Sequence, residues 1–78
     1  MFFEDSEKIF SQRIKELRLS HSMTQLELAQ QLGFTKAAIS NLENRKKRPS
    51  LETLLLFADY FTVSLDYLIG RSDEHACL

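Results

Sequence analysis

The sequence predicts an all-α fold, a compact bundle of five short helices. Three observations support this fold class. Apolar residues recur at helical spacing in five stretches of the chain. A Ser or Thr precedes each stretch, where its side-chain oxygen can cap the first turn. The 78 residues include only two Gly and one Pro, which leaves little scope for hairpins or long loops and suits one domain with one core.

The first predicted helix begins with Ser6 as its cap and runs to about Ser20. Phe10 and Ile14 stand on one face of it, four residues apart, as expected of side chains that share a core. The chain is therefore divided into an N-terminal tail at 1–5, a helical domain at 6–70 and a C-terminal tail at 71–78.

The second and third predicted helices have clear start and stop signals. Thr24 caps the second helix, and Glu27 three residues later completes a capping box. Gly33 ends this helix, since glycine readily adopts the left-handed conformation found after helix ends. Thr35 caps the third helix, which runs to about Asn44.

Two further helices complete the predicted bundle. Ser50 caps the fourth, which runs to about Phe61, and Ser64 caps the fifth, which runs through Ile69. The fourth helix is expected to bury a stripe made of Leu54, Leu55, Phe57, Ala58 and Phe61.

Charge is distributed unevenly along the chain, although the net charge is only -1. Residues 1–33 carry four basic and five acidic side chains, residues 34–50 have a net charge of +4, and residues 51–78 have a net charge of -4. A basic segment on an otherwise acidic body is typical of a surface that binds a polyanion, and a solvated charge run gives the same pattern.

The sequence argues against several classes of protein. Its single cysteine, Cys77, excludes an internal disulfide, and His21 and His75 have no neighbour at metal-ligand spacing, so no metal and no cofactor are expected. No nucleophile–base pair or phosphate-binding loop is present, so an enzyme is not expected. No apolar stretch reaches the roughly 20 residues of a membrane span, and no signal peptide is evident, so a cytoplasmic protein is expected. Nothing indicates a small-molecule ligand.

The second and third helices have the pattern of a helix-turn-helix unit. They meet through Gly33 and a short turn, and the small Ala29, four residues earlier, lets them cross closely. With Ile39 pointing inward, Leu42 and Glu43 fall within about 60° of it on a helical wheel. The side chains that point away are small and polar: Ala37, Ser40, Asn41 and Asn44, flanked by Lys36. Such a face suits insertion into a DNA major groove, where Lys can donate to guanine and Asn can pair with adenine.

These features resemble the lambda-repressor-like helix-turn-helix family, of the phage-repressor or xenobiotic-response-element type. The resemblance runs from Phe10 to Gly70. The stretches that carry it are Arg13–Arg18, Thr24-Gln25, Glu27–Ala29, Gly33, Ile39-Ser40, Leu42–Asn44, Arg48–Leu51 and Val63–Leu68.

The resemblance implies that the third helix enters the major groove of double-stranded DNA. By position, it assigns base reading to Lys36, Ala37 and Asn41, with Ser40 nearby. It implies an ion pair between Arg18 and Glu43 that bridges the first and third helices. The candidate phosphate contacts are Gln25, Thr35, Asn44, Arg45, Lys46, Lys47 and Arg48.

Three residues depart from the family pattern. Ser22 and Arg45 stand where the family often has Gly, and Thr62 stands where Gly or Asn is common. Each is expected to need a left-handed backbone, which costs a non-glycine residue about 1 kcal/mol.

The predicted function is a sequence-specific DNA-binding regulator, expected to be a repressor that binds a near-palindromic operator as a homodimer. The dimer is expected to be weak without DNA, and its candidate surface comprises Leu56, Tyr60, Leu65 and Ile69. Folding of the N-terminal segment with Phe2 and Phe3 over the fourth helix is an alternative use of Leu56 and Tyr60. The alternative function is a protein-binding module, such as a coactivator or an antitoxin component.

Overall fold

A computed structural model describes residues 3–74 of the chain, and these residues form five α-helices without any strand. The helices are α1 (Phe3–Ser20), α2 (Gln25–Leu32), α3 (Lys36–Glu43), α4 (Leu51–Phe61) and α5 (Leu65–Leu68). The predicted fold class is confirmed. Phe2, His75 and Cys77, together with the side chain of Phe3, lie outside the described part of the chain.

The expected start of the first helix at Ser6 is wrong, because α1 begins at Phe3. Ser6 therefore lies inside the helix, and residues 3–5 are helical rather than part of a tail. The sequence offers a physical reason. Asp5 supplies negative charge to the first turn, where the helix dipole favours it, so the helix can extend past the serine.

The other four helices start where the sequence predicts. In each, the side-chain oxygen of the capping residue accepts a hydrogen bond from the backbone N–H three residues later. The Glu27 carboxylate also accepts from the Thr24 backbone N–H at 2.8 Å, so the predicted capping box is present. The four capping residues are Thr24, Thr35, Ser50 and Ser64.

Each of the five described helices is followed within two residues by a residue in the left-handed conformation, and only two of these residues are glycines. After α3, for example, the N–H of Lys46 donates to the Asn41 carbonyl and the N–H of Arg45 donates to the Leu42 carbonyl, which is a Schellman motif. The left-handed residues, with their φ angles, are Ser22 (55°), Gly33 (77°), Arg45 (61°), Thr62 (55°) and Gly70 (86°). The three expected non-glycine exceptions are therefore confirmed.

The core takes buried side chains from all five helices, and Phe57 of α4 is fully buried within it. Its ring packs edge-on against Phe10 of α1, with centroids 5.7 Å apart, and lies near Phe34 of the α2–α3 turn. The expectation that Leu55 belongs to this core is wrong, because Leu55 is 47% exposed. Helical geometry places it about 160° from Phe57, outside the buried arc of α4.

The chain after α5 is fastened to α1 by Arg13. The Arg13 guanidinium lies over the Tyr67 ring, 4.1 Å from its centroid, and donates to the backbone carbonyls of Tyr67 and Ser72. A further contact at 2.8 Å reaches Asp73, whose side chain is almost fully exposed. Residues 71–73 are thus held against α1 rather than trailing freely.

Candidate nucleic-acid interface

The α2–α3 unit has the close approach and tight turn of a helix-turn-helix. Ala29 of α2 and Ile39 of α3 are both fully buried. Gly33 turns the chain between the helices, and the N–H of Phe34 closes the turn on the Ala29 carbonyl at 2.8 Å. A β-carbon on Gly33 would meet no atom within 4 Å, so its left-handed backbone, and not crowding, is what calls for glycine there.

The outer face of α3 is open, small and polar. Lys36 and Ala37 at its start are exposed, and Ser40 and Asn41 one turn later are half-buried. Asn44 at the C-terminal end is exposed and donates from its side-chain nitrogen to the Ser40 hydroxyl at 3.1 Å. The four predicted base-reading residues thus lie along a helix face that bears no large apolar side chain.

A buried polar cluster holds the inner side of α3 to α1 and α2. Glu43 accepts two hydrogen bonds from Arg18, at 2.8 Å from Nε and 3.0 Å from Nη2. A third comes from Gln25 Nε2 at 3.0 Å. The side chains of Arg18 and Glu43 are only 9% and 2% exposed, so this pair is shielded from water. The hydrogen bonds to Glu43 raise the pKa of Arg18 above its ordinary value, against the opposing effect of burial.

Gln25 therefore has a contact that the sequence did not predict. Its position was interpreted as a phosphate contact, and in the structure its amide nitrogen donates to Glu43. The two residues are 18 positions apart, so no local pattern links them. A second unpredicted contact is made by Ser11 of α1, a buried residue whose hydroxyl donates to the Leu42 carbonyl at 2.6 Å. Both contacts fix the last turn of α3.

The basic loop, defined here as Arg45, Lys46, Lys47 and Arg48, follows α3 directly and is exposed throughout. The left-handed Arg45 redirects the chain so that the loop leaves the end of the outer face. Thr35 lies at the other end of α3, where its hydroxyl oxygen caps the helix by accepting from the Ala38 N–H at 3.0 Å. The candidate phosphate contacts therefore flank the candidate base-reading face on both sides.

Arg48 differs from the other members of the basic loop because it has an acidic partner. Its Nε lies 2.6 Å from Oε2 of Glu7 on α1. Within the described part of the chain, no ion pair engages Arg45, Lys46 or Lys47. No local sequence pattern predicts this contact, because its two residues lie far apart along the chain.

Two residues of the candidate dimer surface, Leu56 and Ile69, line different clefts. Leu56 lines a shallow cleft with Phe34, and the Tyr60 hydroxyl lies 3.7 Å from the Met23 sulfur, so both face the helix-turn-helix unit. Ile69 instead lines a cleft with Leu54 on the opposite flank of α4, and Leu65 precedes it by one turn. That flank also carries Leu51 and Leu55, which are 65% and 47% exposed.

Residues 3–74 provide neither a metal-binding cluster nor a membrane-spanning helix. No group of three or more His, Cys, Asp or Glu side chains is arranged to hold a metal ion. None of the helices in this range is both long and apolar enough to cross a membrane.

Comparison with known proteins identifies the family. A family model described as helix-turn-helix matches residues 14–68, which include all of α2, α3, α4 and α5. The chain belongs to the helix-turn-helix family of transcriptional regulators. The predicted family resemblance is therefore confirmed, and most of the matched relatives are described as transcriptional regulators.

Two relatives and one solved structure illustrate the match. The chain is 33% identical over 66 residues to YobD of Bacillus subtilis, an uncharacterised helix-turn-helix-type transcriptional regulator, covering 85% of this chain and 59% of YobD. It is 37% identical over 62 residues to an uncharacterised regulator of the same type from Archaeoglobus fulgidus, covering 80% of this chain and 89% of that protein. It also spans only part of several other bacterial regulators that it matches.

The similar structure is the P22 c2 repressor in complex with a synthetic operator. The TM-score is 0.73 at 28% identity, and the match covers 81% of this helix-turn-helix protein and 96% of the repressor chain.

Proposed function

We propose that this helix-turn-helix protein is a sequence-specific repressor that binds a near-palindromic operator as a homodimer. The observation that carries the proposal is the small, polar outer face of α3, flanked by the basic loop. Similarity to a repressor whose structure contains operator DNA supports the same DNA-binding function. We place the protein in the cytoplasm, where the DNA of bacteria and archaea is found.

In the proposed complex, α3 lies in the major groove. Lys36 donates to guanine, the Ala37 methyl contacts a thymine methyl, and Asn41 pairs with adenine, with Ser40 close to the same bases. Phosphate contacts come from both ends of α3, from the basic loop and from the first residue of α2. These contacts are assigned to Gln25, Thr35, Asn44, Arg45, Lys46, Lys47 and Arg48. Repression then follows from occupancy, since a bound dimer covers the operator and excludes polymerase.

A dimer is proposed because one recognition helix reads only a few base pairs, which is too little to mark one site in a genome. Two-fold symmetry would place the two α3 helices about 34 Å apart on one face of the duplex. Leu65 and Ile69 are the part of the candidate surface that we retain for this contact, and the exposed Leu51 and Leu55 extend it on the same flank of α4. Leu56 and Tyr60 lie on the other flank.

Selection of bound duplexes from a random pool tests the function, followed by sedimentation of the protein on the selected sequence. The expected result is a sequence with two-fold symmetry that binds two chains. If the two subunits neutralise roughly six phosphates, the slope of log affinity against log salt is about -5. A one-to-one complex on an asymmetric site would rule out the dimer. Failure to enrich any sequence would point to the protein-binding alternative.

A further inference from the structure

The ion pair between Arg48 and Glu7 lies at the edge of the candidate DNA surface but outside the helix-turn-helix unit. The Arg48 side chain is 77% exposed, as expected of a group that can reach a phosphate. The Glu7 side chain is 26% exposed, so α1 and its surroundings largely cover it. The contact is therefore made between an exposed cation on a loop and a largely covered carboxylate on a helix.

Two features of the surroundings restrict where Arg48 can go. Pro49 follows it and has a fixed φ, which limits the backbone conformations of Arg48. Both charged residues line the same cleft of about 320 Å³, whose floor includes Phe10 and Leu54. Because the carboxylate stands at this cleft, it draws the guanidinium towards α1.

A carboxylate and a phosphate compete for the same guanidinium, since both bind it through charge-assisted hydrogen bonds. While Arg48 is bound to Glu7, the pair carries no net charge for the DNA to attract. If Arg48 reached a phosphate without leaving Glu7, the carboxylate and the phosphate would repel each other across it. Either way, the carboxylate opposes the phosphate contact.

We propose that Glu7 lowers the DNA affinity of this protein by competing with the phosphate backbone for Arg48. The inference rests on the proposed DNA-binding function and adds to it an affinity-determining residue on α1. Glu7 acts through Arg48 and contacts no DNA itself.

The test compares Glu7→Gln with a matched charge control, Asp5→Asn. Both substitutions remove one negative charge from the beginning of α1, so general effects on the electrostatic field and on the helix dipole are shared. Only Glu7→Gln also releases Arg48. Affinity for a random-sequence duplex is measured by fluorescence anisotropy between about 50 and 200 mM salt, because a phosphate contact does not depend on base sequence. Thermal unfolding of each variant verifies that it is folded.

Relative to Asp5→Asn, Glu7→Gln is expected to tighten binding by about two- to five-fold per subunit, the range expected for an exposed ion pair. The slope of log affinity against log salt is expected to steepen by about 0.9 per subunit, the value for one additional phosphate contact. In an Arg48→Gln background, the difference between Glu7→Gln and Asp5→Asn should disappear.

The remaining outcomes separate the two proposals. If the unsubstituted protein and every variant fail to bind any duplex, the DNA-binding function is wrong, and this inference falls with it. If the protein binds DNA and the Glu7→Gln variant has the same affinity and salt dependence as the Asp5→Asn variant, only the inference about Glu7 is wrong. Weaker binding by Glu7→Gln would also overturn it, because Glu7 would then position Arg48 for the phosphate. A difference that persists in the Arg48→Gln background would show that Glu7 acts through another group.

Discussion

Two arginines of α1 tie the two halves of the molecule to the same helix in different ways. Arg18 binds Glu43 of the helix-turn-helix half, and both side chains are buried. Arg13 binds the segment after α5, and its acidic partner Asp73 is 98% exposed. The first contact is shielded from solvent and joined by Gln25, whereas the second depends mainly on backbone carbonyls and a ring.

The difference follows from the kind of surface that each half exposes to solvent. The outer face of α3 carries no apolar anchor, and on its inner side directional hydrogen bonds add to the packing of Ile39 and Leu42 in fixing its orientation. The half formed by α4 and α5 instead leaves leucines exposed on one flank. An exposed apolar surface of that kind is typical of a site that binds a partner through buried area, for which no polar cluster is needed.

The largest expected effect comes from breaking the buried contact. Glu43→Ala leaves the Arg18 charge buried without its partner and should lower the free energy of unfolding by about 3–5 kcal/mol. Chemical denaturation measures this change. Arg18→Ala and the double variant complete a thermodynamic cycle, and independent, additive losses would show that the two residues are not coupled.

The matched control for that cycle is Asp73→Ala, which removes the acid paired with the other arginine. Because Asp73 is almost fully exposed and Arg13 keeps its contacts with two carbonyls, no measurable change in stability is expected. Equal losses for Glu43→Ala and Asp73→Ala would contradict the distinction between the two halves.

The next effect concerns the outer face of α3 and is expected in binding alone. Asn41→Ala should weaken binding to the selected operator by about 1–3 kcal/mol and relax the preference at one base pair. Gln30→Ala, an exposed substitution on α2, is the control and should leave binding unchanged. Unchanged affinity and preference for Asn41→Ala would refute the assignment of Asn41 to base reading.

The sequence predicts the elements of this molecule better than it predicts the contacts between them. Caps such as Thr24 and stops such as Gly33 are local signals, and the structure retains both. The contact between Gln25 and Glu43 depends on how two helices cross, which no spacing along the chain encodes. Ser6 shows the limit of a local signal, since the helix continues through a residue that was expected to cap it.

The candidate surfaces show the same limit. A helical wheel correctly separates Leu56 from the buried side of α4, because that needs only the helix's own geometry. It cannot show that Leu56 lies beside Phe34 while Ile69 lies beside Leu54, since those neighbours are set by the packing of other helices.

The two flanks of α4 can be compared in the same way. Leu55→Ser should weaken the dimer by about 1–2 kcal/mol per subunit, because it removes apolar area that a second copy would cover. Leu56→Ser lies on the opposite flank and should leave self-association unchanged. Sedimentation equilibrium measures the dissociation constant of the dimer for both variants. A dimer weakened by Leu56→Ser and not by Leu55→Ser would move the contact to the flank that faces the helix-turn-helix unit.

The smallest expected effect concerns the left-handed residues that follow the helices, where a glycine should stabilise either half of the molecule. Thr62 ends α4 at a φ of 55°, a left-handed conformation that is strained for a β-branched residue. Thr62→Gly removes this strain, which stabilises the folded state. Glycine also has more conformational freedom in the unfolded chain, which offsets part of that stabilisation. The expected net increase in the free energy of unfolding is about 1 kcal/mol. Ser22→Gly after α1, also at 55°, is expected to give a smaller gain, because serine has one heavy atom fewer on its β-carbon. Thermal unfolding distinguishes the two variants by how far each raises the melting temperature. A destabilised Thr62→Gly would mean that contacts of the threonine side chain outweigh the strain in its backbone.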